Sequence, residues 1–290
     1  MRIEIKHYPQ IRICKEFYSV NEFLQKYSAK GFNKNWHWGR WEWLLGHSSL
    51  DESTLPLIGL FTENDEIVGV VTHDMGKPAY IILNPQYSHL KPQMVDYAIS
   101  ELSHDGISKL FVEENDNELL STVKEKGYSI TDTDEYVLEL ECNQKLTYRL
   151  DDKFSLIDYH TDRNIDKYCA VIHKGFENDG VPPTGLKDTD FPEKPHENIE
   201  LAVFIVAENG DYVAHCGTWY NNKTEICYVE PVVTIPEYRG YGLGKAVVYE
   251  SINRCIKMGA KKAIVISNQQ FYYKIGFKKY SLYNLWEKKV

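Results

Sequence analysis

The two halves of the chain contain hydrophobic and polar segments in the same order. In each half an apolar, strand-like run ends in a Pro-x-Tyr motif, at Pro85–Tyr87 and at Pro236–Tyr238, and the two motifs are 151 positions apart. Each motif is followed by a segment with helical periodicity, about Gln93–Leu102 in the first half and about Gly244–Met258 in the second. The pattern therefore predicts an internal repeat.

Further elements flank both copies in matching order. They are the turns Glu63–Glu66 and Glu208–Asp211, the strands Ile67–Val71 and Tyr212–Cys216, the strands Lys109–Glu113 and Lys262–Ser267, and the lysine-containing Gly-aromatic endings Lys124–Tyr128 and Tyr273–Phe277. Five matches in one order favour a duplicated αβ unit over chance. After the strand Glu135–Leu140, a boundary near Glu141–Leu150 predicts two domains, 1–145 and 146–290.

The composition agrees with two folded domains and disfavours some classes of binding partner. The chain has 290 residues and 43% hydrophobic residues, enough for two cores. Its net charge of −9 disfavours nucleic acid as a partner, and no apolar run approaches the roughly 20 residues that span a bilayer. The start lacks an apolar signal segment, and the six cysteines are scattered without a C-x-x-C pair. We therefore expect a cytoplasmic protein with reduced thiols.

The segment Arg239–Lys245 carries the strongest chemical signal. It follows a predicted strand, Ile226–Thr234, opens a helix, and has glycines at alternate positions 240, 242 and 244. Without Cβ atoms the backbone N–H groups can approach an anion closely, and a helix N-terminus adds unpaired N–H groups. Arg239 and Lys245 add positive charge. These features predict a cradle for phosphate or pyrophosphate.

Two common phosphate motifs do not match this segment. A Walker A loop requires glycine at position 239 and serine or threonine at 246, where the chain has Arg239 and Ala246. A Rossmann G-x-G-x-x-G motif requires glycine at 245, where the chain has Lys245. Tight packing of the turn is the remaining alternative, but it leaves Arg239 and Lys245 unexplained.

The Arg-x-x-Gly-x-Gly pattern at Arg239–Gly244 resembles motif A of the GNAT N-acetyltransferases, which binds the pyrophosphate of acetyl-CoA. It is joined by Glu230–Tyr238 before it and by Ser267–Phe277 after it, and the latter resembles the family's Asn followed by Tyr-x-Lys-x-Gly-Phe. The resemblance covers residues 152–290 well. It implies an α/β (α+β) fold of two tandem GNAT-like domains, each with a mixed, mostly antiparallel central sheet flanked by helices.

The first half resembles the family only as a degenerate copy. At the 151-residue offset, Ser88, His89, Lys91 and Gln93 replace Arg239 and the three glycines. Because no glycine remains, the backbone there cannot approach a pyrophosphate. We therefore expect one cofactor site per chain, with domain 1–145 shaping the substrate pocket or the quaternary structure.

The resemblance also implies a reaction and the residues that perform it. The donor is acetyl-CoA, the acceptor is a primary amine of a small molecule, and transfer is direct, without an acyl-enzyme or a metal. The strand before the cradle supplies backbone groups to the pantetheine arm, and the N–H near Val233 is expected to stabilise the developing oxyanion. The implied cofactor contacts are Val232, Val233, Thr234, Arg239, Gly240, Tyr241, Gly242, Leu243, Gly244, Lys245, Asn268 and Tyr273.

Two proton-transfer residues are implied as well. Tyr272 matches the family tyrosine that protonates the CoA thiolate, and a thiol pKa near ~8.5 against a phenol pKa near ~10 makes this transfer feasible. Tyr273 is the alternative, because the two tyrosines are adjacent. Glu230 is the candidate base, since an alkyl ammonium with a pKa near ~10.4 must lose a proton. A solvent-facing or ion-paired glutamate is equally compatible with the sequence.

Several other features leave alternatives open. The polar segment Glu177–Asn198 is either a substrate-side loop or lid, or a surface insertion. The aromatic segment Trp36–Leu45 favours core packing over a pocket or a partner surface. His215 and Cys216 form a weak candidate for a Cys–His nucleophile. The histidines show no metal-ligand spacing, so no metal is expected.

Two other functions compete with acetyl transfer. One is a non-catalytic acyl-CoA-binding or regulatory module that uses the aromatic first half as a partner surface. The other is a peptidyl or aminoacyl transferase, which requires a charged tRNA and is disfavoured by the net charge of −9. The sequence carries no signal for the acceptor's identity or the oligomeric state.

Overall fold

The computed structural model describes residues 2–28 and 30–290. The helices are α1 (Lys15–Ser28), α2 (Trp38–Leu45), α3 (Lys91–Glu101), α4 (Asn117–Glu125), α5 (Ile165–Gly175), α6 (Leu243–Met258) and α7 (Gln270–Lys274). The strands are β1 (Ile3–His7), β2 (Gly59–Glu63), β3 (Glu66–His73), β4 (Ala79–Leu83), β5 (Ile107–Glu113), β6 (Ser129–Glu141), β7 (Phe154–Asp158), β8 (Val203–Ala207), β9 (Tyr212–Trp219), β10 (Ile226–Thr234), β11 (Lys262–Ile266) and β12 (Lys278–Lys289). No helix within the described ranges is long and apolar enough to cross a membrane.

The chain divides into two compact units. The first runs to Leu138 and includes Ile266–Tyr273 and Phe277–Val290, and the second comprises Glu139–Val265 and Lys274–Gly276. Residues 277–290 thus group with the first half, whereas the sequence placed them in the second domain. The reason is pairing: β12 runs antiparallel to β5 without interruption, from Tyr283 opposite Glu113 to Lys289 opposite Ile107.

The first unit is built on a mixed, mostly antiparallel sheet. Its strand order is β1-β2-β3-β4-β5-β12-β6, and β4 pairs with β5 in parallel. Helix α3 packs on this sheet so closely that a Cβ on Gly59 of β2 would lie 2.6 Å from the Tyr97 ring. The buried residues Met94 and Val95 of the same helix belong to the core.

Tryptophans fill a second part of the first unit's interior. Trp36, Trp38 and Trp41 have no solvent exposure, and Trp41 stacks on Phe17 of α1 with ring centroids 6.2 Å apart. The core-packing interpretation of this aromatic segment is therefore confirmed.

The second unit has the strand order β11-β10-β9-β8-β7. β10 pairs with β11 in parallel and with β9 antiparallel. The sheet carries one helix on each face, as two residues of β9 show. The His215 ring meets Tyr168 of α5 at 5.6 Å, whereas the Thr218 hydroxyl lies 2.9 Å from Ser251 of α6. Residues three positions apart on a strand point to opposite faces.

The predicted repeat elements are present in both units and in the same order. Strands and helices fall where the hydrophobic pattern placed them, and both Pro-x-Tyr motifs form a 3-10 turn before a helix. The hairpins even share a register shift, at Phe61/Thr62 in the first unit and at Ile205/Val206 in the second. Gly127 and Gly276, which precede the aromatic residues Tyr128 and Phe277, both have positive φ.

Candidate functional site

The turn between β10 and α6 forms an open glycine cradle. Gly240 and Gly242 have φ values of +88° and +79°, a region that side chains with a Cβ rarely adopt. A Cβ built on either glycine would have no protein atom within 4 Å. The backbone in front of α6 is therefore accessible, as the sequence predicted for a phosphate group.

Helix α6 directs unpaired donors into this cradle. Its N-cap residue, Gly242, has no side chain to cap the helix, and the first N–H groups of a helix have no intrahelical acceptor. Those groups belong to Leu243, Gly244 and Lys245, at the positive end of a 16-residue helix. The arrangement suits an anion.

A cation that the sequence did not indicate also lies near the cradle. The ammonium of Lys153 lies 4.5 Å from the centroid of the Tyr241 ring, and that ring is 57% exposed. Lys153 precedes β7 and is far from the glycine motif in sequence. Only the three-dimensional structure brings them together.

Arg239 is held by protein groups. Its guanidinium forms an ion pair with Glu177 at 2.7 Å and donates to the carbonyl oxygens of Thr234 at 3.1 Å and Gly175 at 3.2 Å. Arg239 thus connects the end of β10 with the end of α5. The sequence predicted a charge directed at phosphate, but in this conformation Glu177 holds that charge.

Strands β10 and β11 separate beside the cradle. Their parallel pairing ends at Tyr228 opposite Ile264, while β10 continues to Thr234 along β9. The part of β10 after Tyr228 therefore pairs with β9 along one edge. Its other edge lies past the last residue pair that β10 forms with β11. Such an edge can offer backbone hydrogen bonds to an extended ligand.

The direction of the backbone N–H groups on β10 shows which residue near Val233 can donate to an oxyanion. Ile235 N donates to Val213 O at 3.1 Å, and the side to which a strand residue directs its N–H and C=O alternates along an antiparallel pair. Val233 therefore directs its N–H toward β9, and Val232 and Thr234 direct theirs to the open edge. The Thr234 carbonyl agrees, because it accepts from Arg239. Val232, not Val233, has its N–H available for an oxyanion.

Glu230 lies in a bulge of β10. The β9–β10 register shifts between Val229 and Val232, and Gly217 on β9 makes room for the bulge, since a Cβ there would lie 2.8 Å from Glu230 O. Trp219 donates its indole N–H to the same oxygen at 3.1 Å. The Glu230 carboxylate accepts from the Tyr228 hydroxyl at 3.5 Å. The candidate base is thus held on the strand beside the open edge.

Replacing Gly175 by alanine is expected to destabilise the fold by about 1–3 kcal/mol, the usual cost of overpacking. A Cβ there would lie 2.5 Å from the Cβ of Val233, so either α5 or β10 must shift. The measurement is urea-induced unfolding, with Lys174→Ala on the exposed side of the same turn as the control. Equal stability of the two variants would contradict the close packing of α5 on β10.

Most of the second motif, including Tyr272 and Tyr273, belongs to the first unit, and Lys274–Gly276 belong to the second. Tyr272 is 6% exposed, and its ring contacts Phe271 and Phe277 with centroids 5.0 and 5.6 Å away. Tyr273 donates its hydroxyl proton to the Asn268 side chain at 3.2 Å. Tyr272 is thus packed among aromatic rings, whereas the Tyr273 hydroxyl donates to a side chain of its own segment.

His215 and Cys216 do not form a nucleophilic pair. Both are buried on adjacent positions of β9, and His215 Nδ1 lies 3.0 Å from Val203 O. Burial lowers the pKa of His215 to about 3 and raises the pKa of the Cys216 thiol. A neutral thiol is a poor nucleophile.

A cavity of about 760 Å³ lies on the α5 side of the second unit. Its walls come from the segment between β7 and α5, from α5 itself, and from the loop that follows α5. The stretch Phe191–Glu197 of the long polar segment forms one side. This placement favours the substrate-side interpretation of that segment over a surface insertion.

The corresponding turn of the first unit has a different backbone. Residues Pro85–Leu90 form a 3-10 helix that continues directly into α3. Lys91, at the position of Gly242, is helical with φ −50°, and its ammonium lies 2.6 Å from Asp116. The glycine cradle is therefore absent from this turn.

No group of three or more His, Cys, Asp or Glu side chains in the described part of the chain is arranged to hold a metal ion.

Comparison with known families points to one group of enzymes. Residues 173–277 match the acetyltransferase (GNAT) family, a range that contains the cradle, β10 and the α5 end. No curated protein is significantly similar to the chain.

Solved structures resemble the whole chain in fold. One is a GCN5-related N-acetyltransferase from Sphaerobacter thermophilus, with a TM-score of 0.58, 13% identity, and 99% of this chain and 95% of that chain covered. Another is a tandem GNAT protein from the clavulanic acid biosynthesis pathway, with a TM-score of 0.57, 10% identity, and coverage of 99% and 98%. At such low identity the likeness shows the fold alone.

Proposed function

We propose that the protein, whose residues 173–277 match the GNAT acetyltransferase family, transfers an acetyl group from acetyl-CoA directly to a primary amine of a small molecule. The observation that carries the proposal is the open glycine turn at the start of α6, beside the open edge of β10. Both features suit a coenzyme A thioester, because a diphosphate needs donors without Cβ atoms in front of them and an extended arm needs an unpaired strand edge.

The cradle binds the diphosphate of the coenzyme. The N–H groups of Leu243, Gly244 and Lys245 donate to phosphate oxygens, and the helix dipole favours the negative charge. Lys245 and Lys153 add positive charge in a chain that is otherwise acidic. Arg239 adds its positive charge to theirs when its ion pair with Glu177 is broken.

The open edge of β10 orients the reacting group. When bound, acetyl-CoA supplies the acetyl group as a thioester. Val232 and Thr234 direct their backbone N–H groups to that edge, where Val232 stabilises negative charge on the thioester oxygen. Backbone donors are held rigidly by the β9 pairing, so they need no reorganisation during the reaction.

Two side chains move protons. Glu230, held in the bulge of β10, accepts the proton of the bound ammonium, and the neutral amine that results attacks the thioester carbon. Tyr272 donates a proton to the departing CoA thiolate, a role that it takes from its position in the Tyr-x-Lys-x-Gly-Phe motif. The proposed transfer is direct, and the Cys216 thiol, whose pKa is raised by burial, takes no part in it.

The experiment is incubation of the protein with acetyl-CoA and a panel of primary amines, with release of the CoA thiol as the readout. We expect amine-dependent thiol release. A non-catalytic acyl-CoA-binding module would instead bind the coenzyme without turnover, and Tyr272→Phe would change none of its properties. Binding without thiol release for any amine would therefore favour that alternative.

Changing Glu177 to glutamine is expected to tighten acetyl-CoA binding about two- to fivefold. The Glu177–Arg239 pair is exposed, and exposed pairs contribute up to about 1 kcal/mol, so the carboxylate is a weak competitor of phosphate for Arg239. The measurement is calorimetric titration at low salt. Glu22→Gln removes one charge from an exposed site in the first unit and is the control. Unchanged or weaker binding in Glu177→Gln would contradict the competition.

A further inference from the structure

We propose that the acceptor amine carries an aromatic ring, and that this ring binds in the 760 Å³ cavity beside α5. The inference rests on the proposed acetyl transfer and names the substrate class for it. Arylalkyl primary amines such as phenethylamine represent that class.

The cavity lies on the face of the second unit's sheet against which α5 packs. Tyr168, which lines the cavity, contacts the His215 ring at 5.6 Å, and His215 lies opposite Val233 in the β9–β10 register. The Val233 side chain faces the same helix, because a Cβ on Gly175 of α5 would lie 2.5 Å from the Cβ of Val233. An amine bound against Tyr168 is therefore on the same face of the sheet as Val233, which belongs to the part of β10 where transfer is proposed.

Aromatic and proline side chains form the walls. Tyr159 and Tyr168 have their ring centroids 5.6 Å apart, and Phe191 belongs to the loop that closes one side, together with Pro192 and Pro195. Flat apolar walls favour a planar ring over a flexible chain, because aromatic pairs contribute beyond their buried area. A rigid ring also loses little conformational entropy when it binds between these side chains.

The charges around the cavity favour an acceptor with a small net charge. Two acidic residues, Glu193 and Glu197, and two basic residues, Arg163 and Lys194, line it. Lys194 and Glu197 are paired at 3.5 Å, and the Arg163 guanidinium lies 5.2 Å from the Tyr159 ring centroid. This balance gives no anchor for a polyanion such as a phosphorylated amine. A single ammonium is accommodated, because aromatic faces attract a cation and the carboxylates of Glu193 and Glu197 line the cavity.

The size of the cavity agrees with this class. Pockets for small organic ligands span about 300–1,000 Å³, and 760 Å³ lies inside that range. A ring with a two-carbon amine arm fits with space to spare, so larger bicyclic arylalkylamines are accommodated as well.

The test compares phenethylamine with hexylamine, which have the same charge and differ in the ring. With the native protein and acetyl-CoA we expect kcat/KM to be about tenfold higher for phenethylamine, as one or two ring contacts predict. Phe191→Leu keeps an apolar side chain but removes a ring, and it is expected to reduce that ratio to about threefold or less. Tyr18→Leu, which changes an exposed ring of the first unit, is the control and should leave the ratio unchanged.

Binding without turnover separates this inference from the proposed function. The melting temperature of the protein with CoA is measured with each amine, and phenethylamine should raise it more than hexylamine does, an effect that Phe191→Leu removes. If the native protein favours hexylamine or treats both amines alike, or if Phe191→Leu leaves the difference intact, the inference is wrong even where acetyl transfer is observed. If phenethylamine binds as expected but no thiol is released, the ring site stands and the proposed reaction fails.

Discussion

Replacing Gly242 by alanine weakens acetyl-CoA binding at least about tenfold, a loss of about 1.4 kcal/mol or more. A Cβ at this position meets no protein atom within 4 Å, so the space that it fills is the space in front of the α6 donors. A phosphate oxygen must then move away from those N–H groups, and charge-assisted hydrogen bonds weaken steeply with distance. The measurement is calorimetric titration of the pure variant with acetyl-CoA.

Gly127 in the first unit provides a matched control. Its φ of +83° is close to the +79° of Gly242, and a Cβ there also meets nothing within 4 Å. Alanine at either position carries a similar backbone penalty of about 1 kcal/mol, so the two variants should lose similar stability. Only Gly242→Ala should lose coenzyme affinity. Equal affinities for the two variants would show that the cradle does not bind the diphosphate.

The Tyr272→Phe variant is expected to lose about a hundredfold or more in kcat, with an unchanged Kd for acetyl-CoA. General acid catalysis contributes about 10²–10⁴-fold, and the substitution removes the proton donor but retains the ring that packs on Phe271 and Phe277. The measurement is single-turnover thiol release at saturating acetyl-CoA, together with calorimetric titration of the coenzyme.

Tyr273→Phe is the matched control on the neighbouring position. The Tyr273 hydroxyl donates to Asn268, so we expect kcat to fall less than about threefold when that surface-side hydrogen bond is removed. The opposite ranking, with Tyr273→Phe as the slower variant, would assign the acid to Tyr273. Full activity in both variants would show that neither tyrosine is the acid.

The sequence could indicate an open glycine turn and the order of the elements because both depend on local patterns. Glycine permits positive φ and leaves the space of a Cβ empty, and Gly240 and Gly242 have both properties. The strand and helix periodicity likewise placed α6 within one residue of its observed start.

Features that depend on distant residues were not predicted. The Glu177 partner of Arg239 is 62 positions away, and no sequence pattern links them. The hydrogen-bond direction of Val233 depends on the β9 register, a property of the pairing and not of the strand itself. The pairing of β12 with β5 was missed because β12 follows the second motif in the chain but pairs with a strand of the first half.

The cavity was not predicted either. Its walls combine residues after the end of β7, helix α5 and the loop Phe191–Glu197, and that loop is polar in sequence. Loops carry specificity through positions that a scaffold sets. The sequence left open whether the long segment is a substrate-side loop or a surface insertion, and it did not indicate which aromatic side chains the loop meets.

The most direct test of the account is the stoichiometry of acetyl-CoA binding, measured by calorimetric titration of the native protein. The account predicts one site per chain, because the cradle exists at Gly240–Lys245 and the matching turn at Lys91 is helical. It also predicts that Gly242→Ala weakens this site. No heat of binding, or a site of unchanged affinity in Gly242→Ala, would contradict it.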